Sequence, residues 1–138
     1  MILAENQIPN NWKELGQMIN LIKSSSIDNL RFPDNDLFYE NYLKYVDKKT
    51  RFKILFNTFE GKDRVILRPS FPYNNLLKKI PYTSHYCLWN RSGKLSKTQI
   101  EQEIKNKFTQ KKYYWFENDN IAKSILEVWH CHIFIKEK

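Results

Sequence analysis

The sequence predicts an α+β fold, N-terminal helices packed on a small antiparallel sheet with one crossover helix, and three observations lead there. Apolar residues recur at helical spacing up to about residue 59. From residue 64 onward, short runs rich in Val, Ile, Tyr, Trp and Phe take over, separated by turn residues. A single capping box interrupts those runs and starts a helix between two of them. The 138 residues suit one domain, helical over 10–59 and sheet-forming over 64–135. A hydrophobic content of 41% with 15% aromatics exceeds what a disordered chain carries, so a packed core is expected.

Taken in order, residues 10–24 read as an amphipathic helix. Asn10 or Asn11 caps it, Trp12, Leu15, Ile19 and Ile22 line one face, and Ser24-Ser25-Ser26 ends it. A linker over 28–33 leads to a second helix from Asp34 or Asn35, with Phe38, Tyr42, Tyr45 and Val46 at helical spacing. Residues 51–59 place Phe52, Leu55, Phe56 and Phe59 on one side of a third helix, with a strand as the alternative. Gly61-Lys62-Asp63 is a turn. Val65-Ile66-Leu67 then forms a short strand, broken by Pro69 and the loop 70–75. A second strand spans Ser84 to Trp89 and closes in the turn Asn90-Arg91-Ser92-Gly93. Ser96, with Gln99 three residues on, caps a helix whose stripe is Ile100, Ile104 and Phe108. Tyr113-Tyr114-Trp115-Phe116 is the third strand, residues 117–120 turn, and the final strand covers 127–135.

The formal charge of +8 comes from 23 Lys and Arg against 15 Asp and Glu, and it favours anionic partners. The basic residues are scattered and interleaved with acids, so most form a solvated surface. No apolar run approaches the roughly 18 residues of a membrane span, and no signal peptide is visible at the N-terminus. Cys87 and Cys131 sit in apolar strands, which reads as buried thiols in a reducing compartment, with a disulfide the weaker alternative. A cytoplasmic protein without membrane association is expected.

The chemistry-bearing residues are the three histidines. His130 and His132 stand at i and i+2 in a strongly β-forming stretch, so in a strand they leave the same face, opposite Trp129, Cys131 and Ile133. His85 lies in the other histidine-bearing strand. If the two strands are close, all three imidazoles line one solvent-reachable cleft. A metal set of His85, Cys87, His130 and His132 is geometrically allowed, but no C-x2-C or H-x3-H spacing supports it, so no metal is assigned and the cofactor is left unknown.

The chain also resembles a known family. Phe71-Pro72-Tyr73 resembles the "N-D-[FW]-P-Y" loop of the fungal N-acetylglucosamine-induced proteins, a domain of unknown function. His85-Tyr86-Cys87-Leu88-Trp89 looks like their "H-[LV]-[VC]-[VL]-W" strand. Trp115-Phe116-Glu117-Asn118, Lys123-Ser124-Ile125 and His130-Cys131-His132-Ile133 look like "W-F-x-N-P…K-S-I-P…H-x-H-V". These blocks span 68–135 in the same order. Pro69-Ser70 replaces the family's Asn-Asp, and Asp119 and Leu126 replace two prolines. The resemblance implies a cytoplasmic protein linked to hexosamine metabolism. More distantly, Phe-Pro-Tyr, a strand histidine, a helix and an H-φ-H-φ strand are similar to the histidine-triad nucleotide hydrolases and transferases. In those proteins a strand histidine attacks an α-phosphorus; here Phe134 stands where their third histidine would.

The expected function is therefore binding of a phosphorylated sugar or nucleotide in a histidine-lined cleft. If turnover follows, it is phosphoryl or nucleotidyl transfer or hydrolysis, with His130, His132 and His85 as the catalytic candidates. Tyr73 and Phe71 are candidates to stack on a base or sugar. Asn118, Lys123 and Ser124 offer an amide, an ammonium and a hydroxyl to a phosphate, and Arg68 and Arg91 are further clamp candidates. The alternative is a non-enzymatic basic module for RNA or a partner protein.

Overall fold

A computed structural model describes residues 5–24, 44, 45, 47, 49, 50, 53, 57, 59–69, 72–117 and 128–138. The second expected helix lies outside them except for Lys44 and Tyr45. Within 51–59, Lys53 and Asn57 are helical, which favours the helix over the strand alternative.

After a 3-10 turn at Glu5–Gln7 comes α1, Trp12–Ser24. Asn11 caps it: its Oδ1 accepts the Glu14 amide at 2.9 Å, while the Glu14 carboxylate accepts the Asn10 amide at 2.8 Å. Glu14 in the first turn and Lys23 in the last complement the helix dipole. Leu15 and Ile19 of the predicted stripe are fully buried, flanked by half-buried Trp12 and Ile22. Trp12 stacks on Tyr114 with ring centroids 4.4 Å apart. Gly16 allows that approach, because a β-carbon there would overlap the Tyr114 ring.

The strands are β1 (Arg64–Leu67), β2 (Thr83–Asn90), β3 (Lys112–Phe116) and β4 (Trp129–Lys136). They form one sheet in the order β1-β2-β4-β3, every neighbour antiparallel. Consequently β2 and β3 run parallel, and β4 occupies the slot between them. The connection from β2 to β3 is α3 (Lys97–Lys107), the predicted crossover helix. Its capping box is complete: the Gln99 amide donates to Ser96 Oγ at 3.2 Å and the Ser96 amide donates to Gln99 Oε1 at 2.9 Å. An Arg64–Glu103 ion pair at 3.0 Å ties β1 to α3.

One short helix was not expected. Asn74–Leu77, α2, starts inside the expected loop 70–75 and runs two residues past it; a single turn carries too few residues to show a period. It buries Leu76 and Leu77.

The sheet has two covered faces. Against α3 pack Leu88, Cys131, Ile133 and Ile135 with Ile100, Ile104 and Phe108. Against α1 and α2 pack Phe116 and Phe134 with Leu15, Ile19, Leu76 and Tyr73. Strand β4, covered on both sides, is buried from Trp129 to Ile135, which is why its sequence is nearly continuously apolar. Among the described residues no helix is long and apolar enough to cross a membrane.

Candidate functional site

Strand alternation sends His85, Cys87 and Trp89 of β2 to the α1–α2 face, with His130, His132 and Phe134 of β4. The register pairs Cys87 with His132, Trp89 with His130 and His85 with Phe134. His85 therefore meets His132 on the diagonal, where long side chains reach one another. All three imidazoles come together: His85 and His132 have ring centroids 5.1 Å apart, and His130 meets His132 edge-on at 5.4 Å.

The open cleft expected from the sequence is replaced by a closed pocket. His85 is 3% exposed and His130 and His132 are each 5% exposed. The Tyr73 ring lies over both His85 and His132, at 4.5 and 5.0 Å. Phe116 stacks on His132, Phe134 on His85, and Trp89 on His130 at 4.0 Å. The i, i+2 spacing dictates which face a histidine takes. Whether that face is covered depends on side chains from elsewhere in the chain.

Within the pocket the polar atoms are linked. The Tyr73 backbone N–H donates to His85 Nδ1 at 3.1 Å. His85 Nε2 lies 2.9 Å from His132 Nδ1, and His132 Nε2 lies 3.4 Å from the Tyr73 hydroxyl. Cys87 Sγ is 3.5 Å from His132 Nδ1. Burial, helped by the charge of Arg68 and by His130, pushes the His85 imidazole down to about 3. Burial alone pushes the Cys87 thiol up to about 12, so it stays protonated. Cys131 points to the α3 face, and its thiol is also held well above the ordinary value, chiefly by burial. Both cysteines are free thiols on opposite faces of the sheet.

Among the described residues, His85, Cys87 and His132 are the side chains whose donor atoms could hold a metal. Their separations of 2.9, 3.5 and 4.0 Å straddle the roughly 3.3–3.6 Å edges that zinc bonds of about 2.0–2.3 Å would set. The polarity at His85 opposes this. A histidine ligating through Nε2 carries its proton on Nδ1 and donates it outward, whereas here Nδ1 faces a backbone N–H that itself must donate. The arrangement suits hydrogen bonding better than coordination.

Of the other predicted site residues, Tyr73 belongs to the pocket, and Phe71, Asn118, Lys123 and Ser124 lie outside the described residues. Arg68 donates to Ser84 Oγ at 3.4 Å and sits over the Tyr86 ring, and Arg91 pairs with Asp63 at 3.4 Å. The sequence reading missed the Tyr73 backbone amide as the partner of His85 and Trp89 as the platform under His130. Trp89 was legible as a same-face neighbour of His85 and Cys87. A backbone amide leaves no side-chain signature.

No family model and no curated protein matches the chain. The solved structure titled "Crystal Structure of HTC1" aligns with a TM-score of 0.55 at 15% identity, over 93% of this chain and 85% of that one. At that identity the likeness is one of fold.

Proposed function

We propose that the protein binds a phosphate-bearing small molecule, a sugar phosphate or a nucleotide, against the histidine face of β2 and β4, as a cytoplasmic protein. Phosphoryl or nucleotidyl transfer or hydrolysis is the chemistry we assign to it. The observation that carries this reading is the meeting of His85, His130 and His132 in one pocket of an otherwise apolar core. Burying imidazoles costs stability unless each is hydrogen-bonded, and clustered perturbed groups concentrate at functional sites. The net charge of +8 draws anions toward the molecule. The motif resemblance to the N-acetylglucosamine-induced proteins, and more distantly to the histidine-triad enzymes, points to the same ligand class. A ligand reaches His132 by displacing the Tyr73 side chain, whose hydroxyl contact at 3.4 Å is long and readily exchanged.

Calorimetric titration with inorganic phosphate, nucleotides and hexosamine phosphates tests this. Saturable binding is expected, weakened about tenfold or more in His132→Gln, in line with the loss of one hydrogen bond to a charged group. Melting curves verify that the variant is folded. Absence of binding to every phosphate compound, or unchanged affinity in His132→Gln, refutes the reading. So does RNA binding that falls steeply with salt and ignores the histidines, which is the signature of a basic module.

A further inference from the structure

We infer that His85 is a positioning residue that fixes the proton of His132 on Nε2, so that His132 meets its ligand as a neutral hydrogen-bond donor and not as a nucleophile. This rests on the ligand reading above and specifies what the ligand must offer: an oxygen that accepts.

The argument follows the protons. A backbone N–H only donates, so the Tyr73 amide at 3.1 Å requires a lone pair on His85 Nδ1. Neutral His85 then carries its hydrogen on Nε2. That hydrogen lies in the 2.9 Å contact with His132 Nδ1, which must accept it. Cys87 Sγ, protonated in its buried setting, lies 3.5 Å from the same Nδ1, where its S–H is at most a weak second donor. With Nδ1 accepting, neutral His132 holds its hydrogen on Nε2, the atom that faces the Tyr73 hydroxyl at 3.4 Å. The chain has one direction, from the Tyr73 amide through His85 and His132 to the Tyr73 hydroxyl. Protonating His132 would set two hydrogens against each other across the 2.9 Å contact, and protonating His85 would do the same across its 3.1 Å contact with the Tyr73 amide; the lowered basicity of His85 agrees.

Several elements bring groups to His132 and His85. Tyr73 comes from the segment before α2, His85 and Cys87 from β2 and His130 from β4, while the charge of Arg68, just past β1, acts on His85. Strand β3 brings Phe116, and α1 brings Leu15 and Ile19 to the same cluster.

The chemical consequence is specific. With a hydrogen on Nε2 and its other lone pair engaged, His132 has no nitrogen to attack phosphorus. Surrendering that hydrogen would leave an imidazolate, so His132 is not an acid either. It binds and polarises: a phosphate oxygen takes the place of the Tyr73 hydroxyl as acceptor, in a stronger, charge-assisted bond. Proton transfer then falls to another group, of which His130 is the remaining imidazole on this face.

Nitrogen-15 NMR of the imidazoles in the ligand-free protein at neutral pH tests this. A scalar coupling across the hydrogen bond between His85 Nε2 and His132 Nδ1 is expected, with the proton on His85 and the His132 proton on Nε2. His85→Gln keeps a donor and should leave the His132 shifts in place. His85→Leu removes it, and His132 Nδ1 should move to the shift of a nitrogen shared between two tautomers. Added inorganic phosphate should shift the His132 Nε2 proton while every proton keeps its nitrogen. An absent coupling, a proton on His132 Nδ1, or His132 shifts that ignore His85→Leu overturns the inference. If the Leu variant does not fold, the coupling in the native protein decides. An intact coupling without phosphate binding refutes the ligand reading alone; phosphate binding without the coupling refutes the donor role alone.

Discussion

Replacing His85 by Gln should flatten the acid side of the stability profile. In the native state burial, with the Arg68 charge and His130 as lesser causes, moves this imidazole from the ordinary 6.5 to about 3. Between those values the unfolded chain binds a proton that the native state refuses. Stability contributed by neutral His85 is therefore fully present above 6.5 and falls as the pH drops toward 3. Each unit of pH below 6.5 costs about 1.4 kcal/mol, so a drop from neutrality to about pH 5 costs about 2 kcal/mol from this residue alone. Gln does not titrate, and carboxylates elsewhere contribute equally to both proteins. Urea unfolding of the two at several pH values gives the comparison directly. The stability lead of the native sequence over His85→Gln should shrink by about 2 kcal/mol between about pH 7 and about pH 5. Arg68→Gln should keep most of the slope, because burial is the larger cause. Parallel profiles for the native protein and His85→Gln would show that His85 is not held neutral, and the proton chain would fall with it.

Gly16→Ala should lower stability despite the better helix propensity of Ala. The gain is about 1 kcal/mol in a helix interior, while forcing a methyl against the Tyr114 ring costs about 1–3 kcal/mol. In a Tyr114→Leu background the same change should be neutral or stabilising, and thermal melts of the four proteins would show otherwise if the close approach were incidental. Neither cysteine should react with iodoacetamide in the folded protein, and both should react in denaturant, because burial keeps each thiol neutral and covered. Labelling of native Cys87 detected by mass spectrometry would contradict the packing of the histidine pocket.

Which parts of this arrangement could be read from the chain follows from the range of the signals. The side of β4 taken by His130 and His132 is local information, fixed by a period of two, and the structure places both on one face with His85. The start of α3 is equally local, written in Ser96 and Gln99 and realised as a full capping box. The insertion of β4 between β2 and β3 is not local. It sets Cys87 opposite His132, 45 positions further along the chain, as the paired residues show, and nothing in either strand specifies that partner. The closing of the pocket is less legible still. It depends on Tyr73, which reads from its own neighbourhood as a loop aromatic, and on a one-turn helix too short to show a pattern.

The two faces of the sheet solve different physical problems. On the α3 side, Leu88, Ile100, Ile104, Ile133 and Ile135 pack aliphatic against aliphatic, and burial of such side chains contributes about 1.5–3 kcal/mol each. On the other side, three imidazoles occupy positions where aliphatic side chains would pack at lower cost. An unsatisfied buried polar group costs about 1–3 kcal/mol, and the cost at His85 and His132 is met because the Tyr73 amide, His85, His132 and the Tyr73 hydroxyl satisfy one another in sequence. Such a chain is all-or-none: losing any link orphans the next, whereas losing one methyl on the α3 side leaves its neighbours packed. The α1–α2 face thus carries an apolar cluster and the interdependent polar groups together, while the α3 face is mainly aliphatic. The ligand proposed above would meet this chain of hydrogen bonds at His132, beside a Tyr73 hydroxyl that another oxygen can replace.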